Sequence, residues 1–163
     1  MRIATYAILL LGVFVAAAAD RPREQDLVRV SVVRVPDGDT IEVKPATGRS
    51  FEVRLDDIDA PEYDQPHAEV ATGLLRNALM GKDVFLDIKA TDRYGRKIAW
   101  VFDDQGRDVN LALVKAGAVW VDRRFPTRPS MIPAEDAARA AGLGLWGLPE
   151  RDRIPPWEWR ERR

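Results

Sequence analysis

The sequence predicts a mainly β fold with helices, of the α+β class. Five short segments alternate apolar and polar residues between turn residues, which is typical of strands, and three segments carry apolar residues three and four apart, which is typical of helices. The 163 residues are 46% apolar and contain no cysteine, a composition typical of one domain that folds without disulfides or zinc. The single histidine, His67, excludes sites built on paired histidines, so any metal must be held by oxygen.

The first three strands are predicted in the N-terminal third. Residues 27–35 alternate valines with polar residues until the phase slips once, which predicts a bulge. Asp37-Gly38-Asp39 predicts a hairpin turn in which the glycine takes a positive φ, followed by a returning strand at 40–44. A third strand is predicted from 51 to 58, and Pro61 stops it because proline cannot donate to a β ladder.

The remaining elements complete a barrel and its cover. A helix is predicted over 66–80, strands over 84–89 and 97–102, a helix from the N-cap Asp108 to Gly117, and a last helix over 133–141. Five strands with a helix inserted after the third indicate a five-stranded OB-type barrel capped by about three helices.

The chain is predicted to have three parts. Residues 1–19 combine Arg2, an apolar run and closing alanines, which is typical of a secretory signal peptide, with an uncleaved membrane anchor as the alternative. Residues 20–149 form the barrel domain, and residues 150–163 form a tail rich in Pro, Trp and Arg. The tail either packs its tryptophans on the barrel or is a flexible arm. We therefore expect a secreted or periplasmic protein, monomeric and without stable membrane association after cleavage.

The charges are segregated along the chain. The formal net charge is only −1, but residues 37–69 carry ten carboxylates against three cations, and residues 82–128 carry ten cations against seven acids. A carboxylate-rich half followed by a cationic half could hold a metal ion beside an anionic substrate. Solvated faces of opposite sign explain the pattern equally well.

Four clusters at predicted strand ends carry chemistry. They are Asp37-Gly38-Asp39-Thr40, Arg54, Asp59-Ala60-Pro61-Glu62 and Asp92-Arg93-Tyr94-Gly95-Arg96. Carboxylates from two loops offer calcium an oxygen shell, and arginine forks match the oxygens of a phosphate. Such a set suits phosphoryl transfer, although each cluster alone could be a plain turn.

Five ordered motifs resemble the secreted staphylococcal nuclease-like thermonucleases. The motifs are VVRVPDGDTIEV (32–43), FEVRLDDIDAPE (51–62), TDRYGRKIAWV (91–101), NLALVKAGAVWV (110–121) and GLGLWGLPE (142–150), with PPWEWR (155–160) in the tail. The resemblance covers about residues 27–160, and its specificity comes from the order of the motifs.

The resemblance implies calcium-dependent cleavage of DNA and RNA phosphodiesters. It implies calcium on Asp39, Asp59 and the carbonyl of Ala60, with Glu62 reached through water. The best-known member of the family has threonine at the position of Ala60, but only the backbone carbonyl is needed there. It implies that Arg54 and Arg96 bind the scissile phosphate and that Glu62 acts as a general base or orients water. Thr40 would support the metal shell, and Tyr94 would flank the nucleotide.

The cationic half adds substrate contacts. Arg93 and Lys97 are expected to join Arg54 and Arg96 in a local groove, and a groove with few phosphate contacts favours single-stranded nucleic acid. Two other classes stay open: an OB-type module that binds nucleic acid without catalysis, and a secreted protein whose acidic loops bind calcium structurally. The presence of two arginines, two aspartates and a glutamate together favours the nuclease.

Overall fold

A computed structural model describes residues 26–162; the predicted signal peptide, residues 1–19, lies outside these described residues. The strands are β1 (Val28–Arg34), β2 (Thr40–Lys44), β3 (Phe51–Leu55), β4 (Ile58–Asp59), β5 (Asp83–Thr91), β6 (Lys97–Phe102) and β7 (Trp120–Val121). The helices are α1 (Ala68–Leu79), α2 (Val109–Lys115), α3 (Met131–Ala140) and α4 (Pro156–Glu161). No helix in this part of the chain is long and apolar enough to cross a membrane.

Five strands form the closed barrel that the sequence predicts, in the order β1-β2-β3-β6-β5. The neighbours are antiparallel except β3 and β6, which pair in parallel with Arg54 opposite Ile98. The predicted bulge is present, because the β1–β2 register shifts between Val32 and Arg34. Alternate residues of the strands point inward and form an apolar core; Ile41, Val53, Leu55, Leu86 and Val101 are fully buried there.

The third predicted strand is wrong beyond Leu55. The chain turns at Asp57, which has a left-handed φ of 67°, and the short β4 leaves the barrel to pair with β7. The Asp57 carboxylate accepts hydrogen bonds from the backbone N–H of Arg128 at 3.2 Å and from its Nε at 2.6 Å, and both side chains are buried. This pair stabilises a backbone conformation that costs a non-glycine residue about 1 kcal/mol or more.

Gly38 is required for a different reason from the one the sequence predicts. It does not have a positive φ, but a Cβ at this position would lie 2.8 Å from Cβ of Ala71 on α1 and 2.9 Å from Cβ of Ala60. The hairpin, α1 and the segment after β4 therefore meet at a point where only glycine fits.

The C-terminal elements pack against the barrel. The last large predicted helix begins at Met131, two residues early, because Pro133 is tolerated in the first turn of a helix. In the tail, α4 was not expected as a helix, and its Trp157 packs edge-to-face on Trp120 of β7 with ring centroids 6.1 Å apart. Of the two alternatives for the tail, the structure has the packed one.

Candidate active site

An open pocket of about 1030 Å³ lies at one end of the barrel, where the ends of β2, β3 and β5 meet the β4–β7 sheet. Most of the residues singled out from the sequence line it: Asp39, Thr40, Arg54, Asp59, Ala60, Glu62, Arg93, Tyr94 and Arg96. Lys97 does not line it; this side chain lies on β6, and its Nζ donates to Oγ1 of Thr91 at 2.9 Å. The fold thus gathers residues more than 50 positions apart into one concave site.

Asp39 is held at the start of β2 with both carboxylate oxygens engaged. Oδ1 accepts from the Thr40 hydroxyl at 3.1 Å, and Oδ2 accepts from the Ala60 N–H at 2.6 Å. Burial raises the pKa of Asp39 to about 6, although the guanidinium of Arg54 lowers it. The contact with Ala60 ties the hairpin to the segment after β4, so the two proposed metal-binding segments have a fixed spacing.

Asp59 is the most heavily paired carboxylate of the pocket. Its Oδ1 accepts from Nη2 of Arg54 at 2.9 Å, and its Oδ2 accepts from Nη2 of Arg124 at 3.0 Å and Nη2 of Arg160 at 2.6 Å. Its side chain is only 3% exposed, and burial raises its pKa against the lowering effects of Arg160 and Arg54. A buried carboxylate with three cationic neighbours is typical of a functional site.

Arg54 links the two aspartates. Its Nη1 donates to the carbonyls of Leu55 and Ile58 at 2.8 and 2.7 Å, its Nη2 donates to Asp59, and its Nε lies 3.2 Å from Oδ1 of Asp39. The two carbonyls belong to the turn that separates β3 from β4. This fork fixes the orientation of the guanidinium, which a lysine ammonium could not reproduce.

Arg96 approaches from the β5–β6 turn, just before β6, which pairs with the strand β3 that carries Arg54. Asp92 shapes this turn by accepting from the backbone N–H groups of Tyr94 and Arg96 at 2.9 and 3.0 Å, and Gly95 supplies a φ of 87°. The Asp92 carboxylate also accepts from Nε of Arg96 at 2.8 Å, which leaves the Nη groups for another acceptor. Arg93 donates to the hydroxyl of Tyr94 at 2.6 Å, and the Tyr94 ring is 68% exposed.

The sequence interpretation missed two arginines and one aromatic residue of this pocket. Arg124 follows β7 and is held by Asp122, with Nε and Nη2 each 2.8 Å from its carboxylate oxygens. Arg160 belongs to α4. The aromatic residue is Tyr63, which lines the same pocket and is highly exposed. The tail tryptophans were the one signal that could have placed Arg160, because a packed tail must bring its other side chains to the barrel.

The acidic residues fit a hard divalent cation. Within residues 26–162, no group of three or more His, Cys, Asp or Glu side chains is close enough to hold a metal by itself. The two buried aspartates of the pocket, Asp39 and Asp59, could each supply a ligand, and a cation there needs backbone and water oxygens as well, which calcium accepts readily. Burial raises the pKa of Asp39, and a cation bound beside this carboxylate would favour its ionised form.

Comparison with known proteins agrees with this geometry. The model of the family described as staphylococcal nuclease homologue matches residues 52–147. An "uncharacterized endonuclease" of Escherichia coli is 39% identical over 132 residues, which cover 81% of this chain and 84% of that protein. The "micrococcal nuclease" of Shigella flexneri is 35% identical over 167 residues, covering 96% of this chain and 90% of that protein. An "uncharacterized endonuclease" of Haemophilus influenzae is 34% identical over 154 residues, covering 94% and 82%.

Proposed function

The chain belongs to the staphylococcal nuclease family and is a phosphodiester-hydrolysing nuclease, and we propose that it is a secreted, calcium-dependent enzyme acting on DNA and RNA. The observation that carries the proposal is the pair of buried aspartates joined by Arg54 in a pocket that also holds Glu62 and Arg96. Carboxylates for a hard cation and arginine forks for a phosphate lie within one concave site.

The metal would be held by Asp39, Asp59 and the carbonyl of Ala60. Calcium bound there would supply charge neutralisation at the phosphate and would increase the acidity of the attacking water. Thr40 and the Ala60 N–H keep the Asp39 carboxylate oriented, so the residue presents its oxygens without reorganisation.

The protein groups act on the phosphodiester directly. Arg54, on β3, and Arg96, just before the paired strand β6, donate to the non-bridging oxygens, whose negative charge grows in the transition state. Water attacks phosphorus as its P–O bond forms, the bond to the leaving oxygen breaks, and the attacking water loses its proton. Glu62 accepts that proton or orients the water, and the leaving oxygen is protonated from solvent.

The rim of the pocket supports a preference for single strands. Tyr63, Tyr94 and Phe125 are exposed aromatic residues around the phosphate-binding groups, and each offers a face on which an unpaired base can stack. The net charge of −1 supplies no broad basic surface for a duplex. We therefore propose single-stranded DNA and RNA as the preferred substrates.

The cellular location is proposed from the sequence alone. Residues 1–19 have the charge, apolar run and small residues of a secretory signal, which leads to the periplasm or the exterior. An extracytoplasmic compartment also supplies calcium at concentrations that a site of modest affinity can use.

The proposal is tested by hydrolysis of matched single- and double-stranded oligonucleotides of DNA and RNA. We expect the purified protein to cut single strands faster than duplexes, to require added calcium and to lose activity in excess chelator. A parallel preparation of Glu62→Gln controls for contaminating nucleases. Full hydrolysis in chelator would contradict the metal assignment, and a clear preference for intact duplex would contradict the proposed mode of substrate binding.

A further inference from the structure

Arg160 lies between the two acidic residues that the proposed mechanism uses most directly. Its Nη2 donates to Oδ2 of Asp59 at 2.6 Å, and its Nη1 lies 2.5 Å from Oε1 of Glu62 and 3.4 Å from Oδ1 of Asp59. One guanidinium therefore bridges a proposed metal ligand and the proposed general base. These contacts raise the pKa of Arg160 further above its ordinary value, so the group is permanently cationic.

The position of Arg160 is fixed by how α4 docks. The Nε1 of Trp159 donates to the Asp64 carboxylate at 3.0 Å, and the side-chain amide of Gln65 donates to the carbonyl of Ile154 just before the helix. Trp157 packs on Trp120, whose neighbours in β4 include Asp59. Contacts on both sides of Arg160 thus attach α4 to the segments that carry the acidic residues.

We propose that Arg160 acts as an intramolecular competitor of the divalent cation at Asp59 and at the same time occupies Glu62, the proposed base. The inference rests on the proposed function, because it takes the metal to bind Asp59. A tethered guanidinium and a metal ion require the same carboxylate lone pairs. The hydrogen bonds of Arg160 must therefore break before the metal binds, and their free energy lowers the affinity of the site for the metal.

Of the three arginines that contact Asp59, Arg160 is the one that a metal ion can displace. Arg54 is also hydrogen-bonded to two carbonyls, and Arg124 is held by two contacts with Asp122, so each has partners besides Asp59. The hydrogen bonds found for Arg160 go to Asp59 and Glu62, the two carboxylates that the proposed mechanism needs for the metal and for water, so a metal ion on Asp59 displaces part of what holds it. Its displacement would also release Glu62 to act on water.

Calcium binding itself tests this inference. Titration calorimetry on the full protein compares the wild type with Arg160→Gln, Arg160→Lys and the control Arg162→Gln. The control removes a charge just past the end of α4, where the ion pair found among residues 26–162 is a 4.0 Å contact with Glu158. We expect Arg160→Gln to lower the Kd for calcium about tenfold or more, since hydrogen bonds to charged groups shift equilibria by that order. Arg160→Lys should give a smaller decrease, because an ammonium keeps the charge but not the fork. Arg162→Gln should leave the Kd unchanged.

The outcomes separate this inference from the proposed function. A folded Arg160→Gln protein that binds calcium as the wild type does, or more weakly, would overturn the inference and leave the metal site standing. Absence of calcium binding by every variant would overturn both. Thermal unfolding in chelator checks folding, and if Arg160→Gln does not fold, unchanged or weaker calcium binding by Arg160→Lys refutes the competition.

Discussion

Removing either of the two proposed phosphate-binding arginines should abolish efficient turnover, but the losses of stability should differ several-fold. In Arg96→Gln, the turn survives because Asp92 still accepts from the backbone N–H groups of Tyr94 and Arg96. The ion pair that is lost is partly exposed, and such pairs contribute about 0 to 1 kcal/mol. The unfolding free energy should therefore fall by no more than that.

The same substitution at Arg54 removes a largely buried side chain that contacts two backbone carbonyls and two aspartates. It leaves the Leu55 and Ile58 carbonyls without their guanidinium donor and two buried carboxylates without a shared partner, and breaking a buried pair costs about 3 to 5 kcal/mol. That is a large part of the roughly 5 to 15 kcal/mol by which domains are stable. Calcium should restore part of the loss in Arg54→Gln, since it neutralises Asp39 and Asp59.

Urea unfolding followed by far-UV circular dichroism, with and without calcium, measures both effects on stability. Steady-state hydrolysis of a single-stranded oligonucleotide measures kcat, which should fall about 10²- to 10³-fold in each variant for loss of one charge-stabilising donor. Near-normal kcat in folded Arg96→Gln would refute its role at the phosphate. Equal stability losses in the two variants would refute the distinction between a turn arginine and a buried one.

Three further results are expected. Gly38→Ala should lower the unfolding free energy by about 1 to 3 kcal/mol, since its Cβ would overlap Cβ of Ala71, and adding Ala71→Gly should recover part of that loss in a double-mutant cycle. Glu62→Gln should reduce kcat about 10²-fold or more with calcium affinity nearly retained, and wild-type kcat would exclude Glu62 as base. Tyr63→Ala and Phe125→Ala should each raise KM for single strands more than they change kcat, and an equal effect on duplex hydrolysis would argue against base stacking.

Local sequence rules predicted the elements and failed where distant segments meet. The strands and α1 follow from periodicity, and Asp108 caps α2 as expected by accepting from the N–H of Leu111. The end of β3 had a signal in the sequence, because Ile58 lies three residues after Leu55 and is out of phase with the strand. The reason that Gly38 must be glycine had no local signal, since it depends on Ala60 and Ala71.

The residues of the candidate site also fall into those that local sequence rules pointed to and those that only the tertiary structure brings to the pocket. The clusters that contain Asp39, Asp59 and Glu62 were singled out because they lie at predicted strand ends, and the resemblance implied their roles; the three residues line one pocket. Arg160 is 101 residues beyond Asp59, and no periodicity or turn rule relates positions so far apart. The tail that carries Arg160 is polar, so its composition suggested either a flexible arm or packing through tryptophans. Only the tertiary structure shows that Trp157 packs on the domain and which other side chains of the tail then reach the pocket.

The parallel pairing of β3 with β6 also makes enzymatic activity a probe of folding order. These strands are separated by β4, α1 and β5, and the β1–β5 pairing joins residues that are even farther apart in the chain. Both contacts are therefore entropically expensive to form early. Arg54 and Arg96 belong to the two sides of the β3–β6 contact, and the pocket exists only after closure. During refolding, helical structure and the local β1–β2, β2–β3 and β5–β6 pairings should therefore return before hydrolysis does, and the lag between the two signals should report the rate of barrel closure.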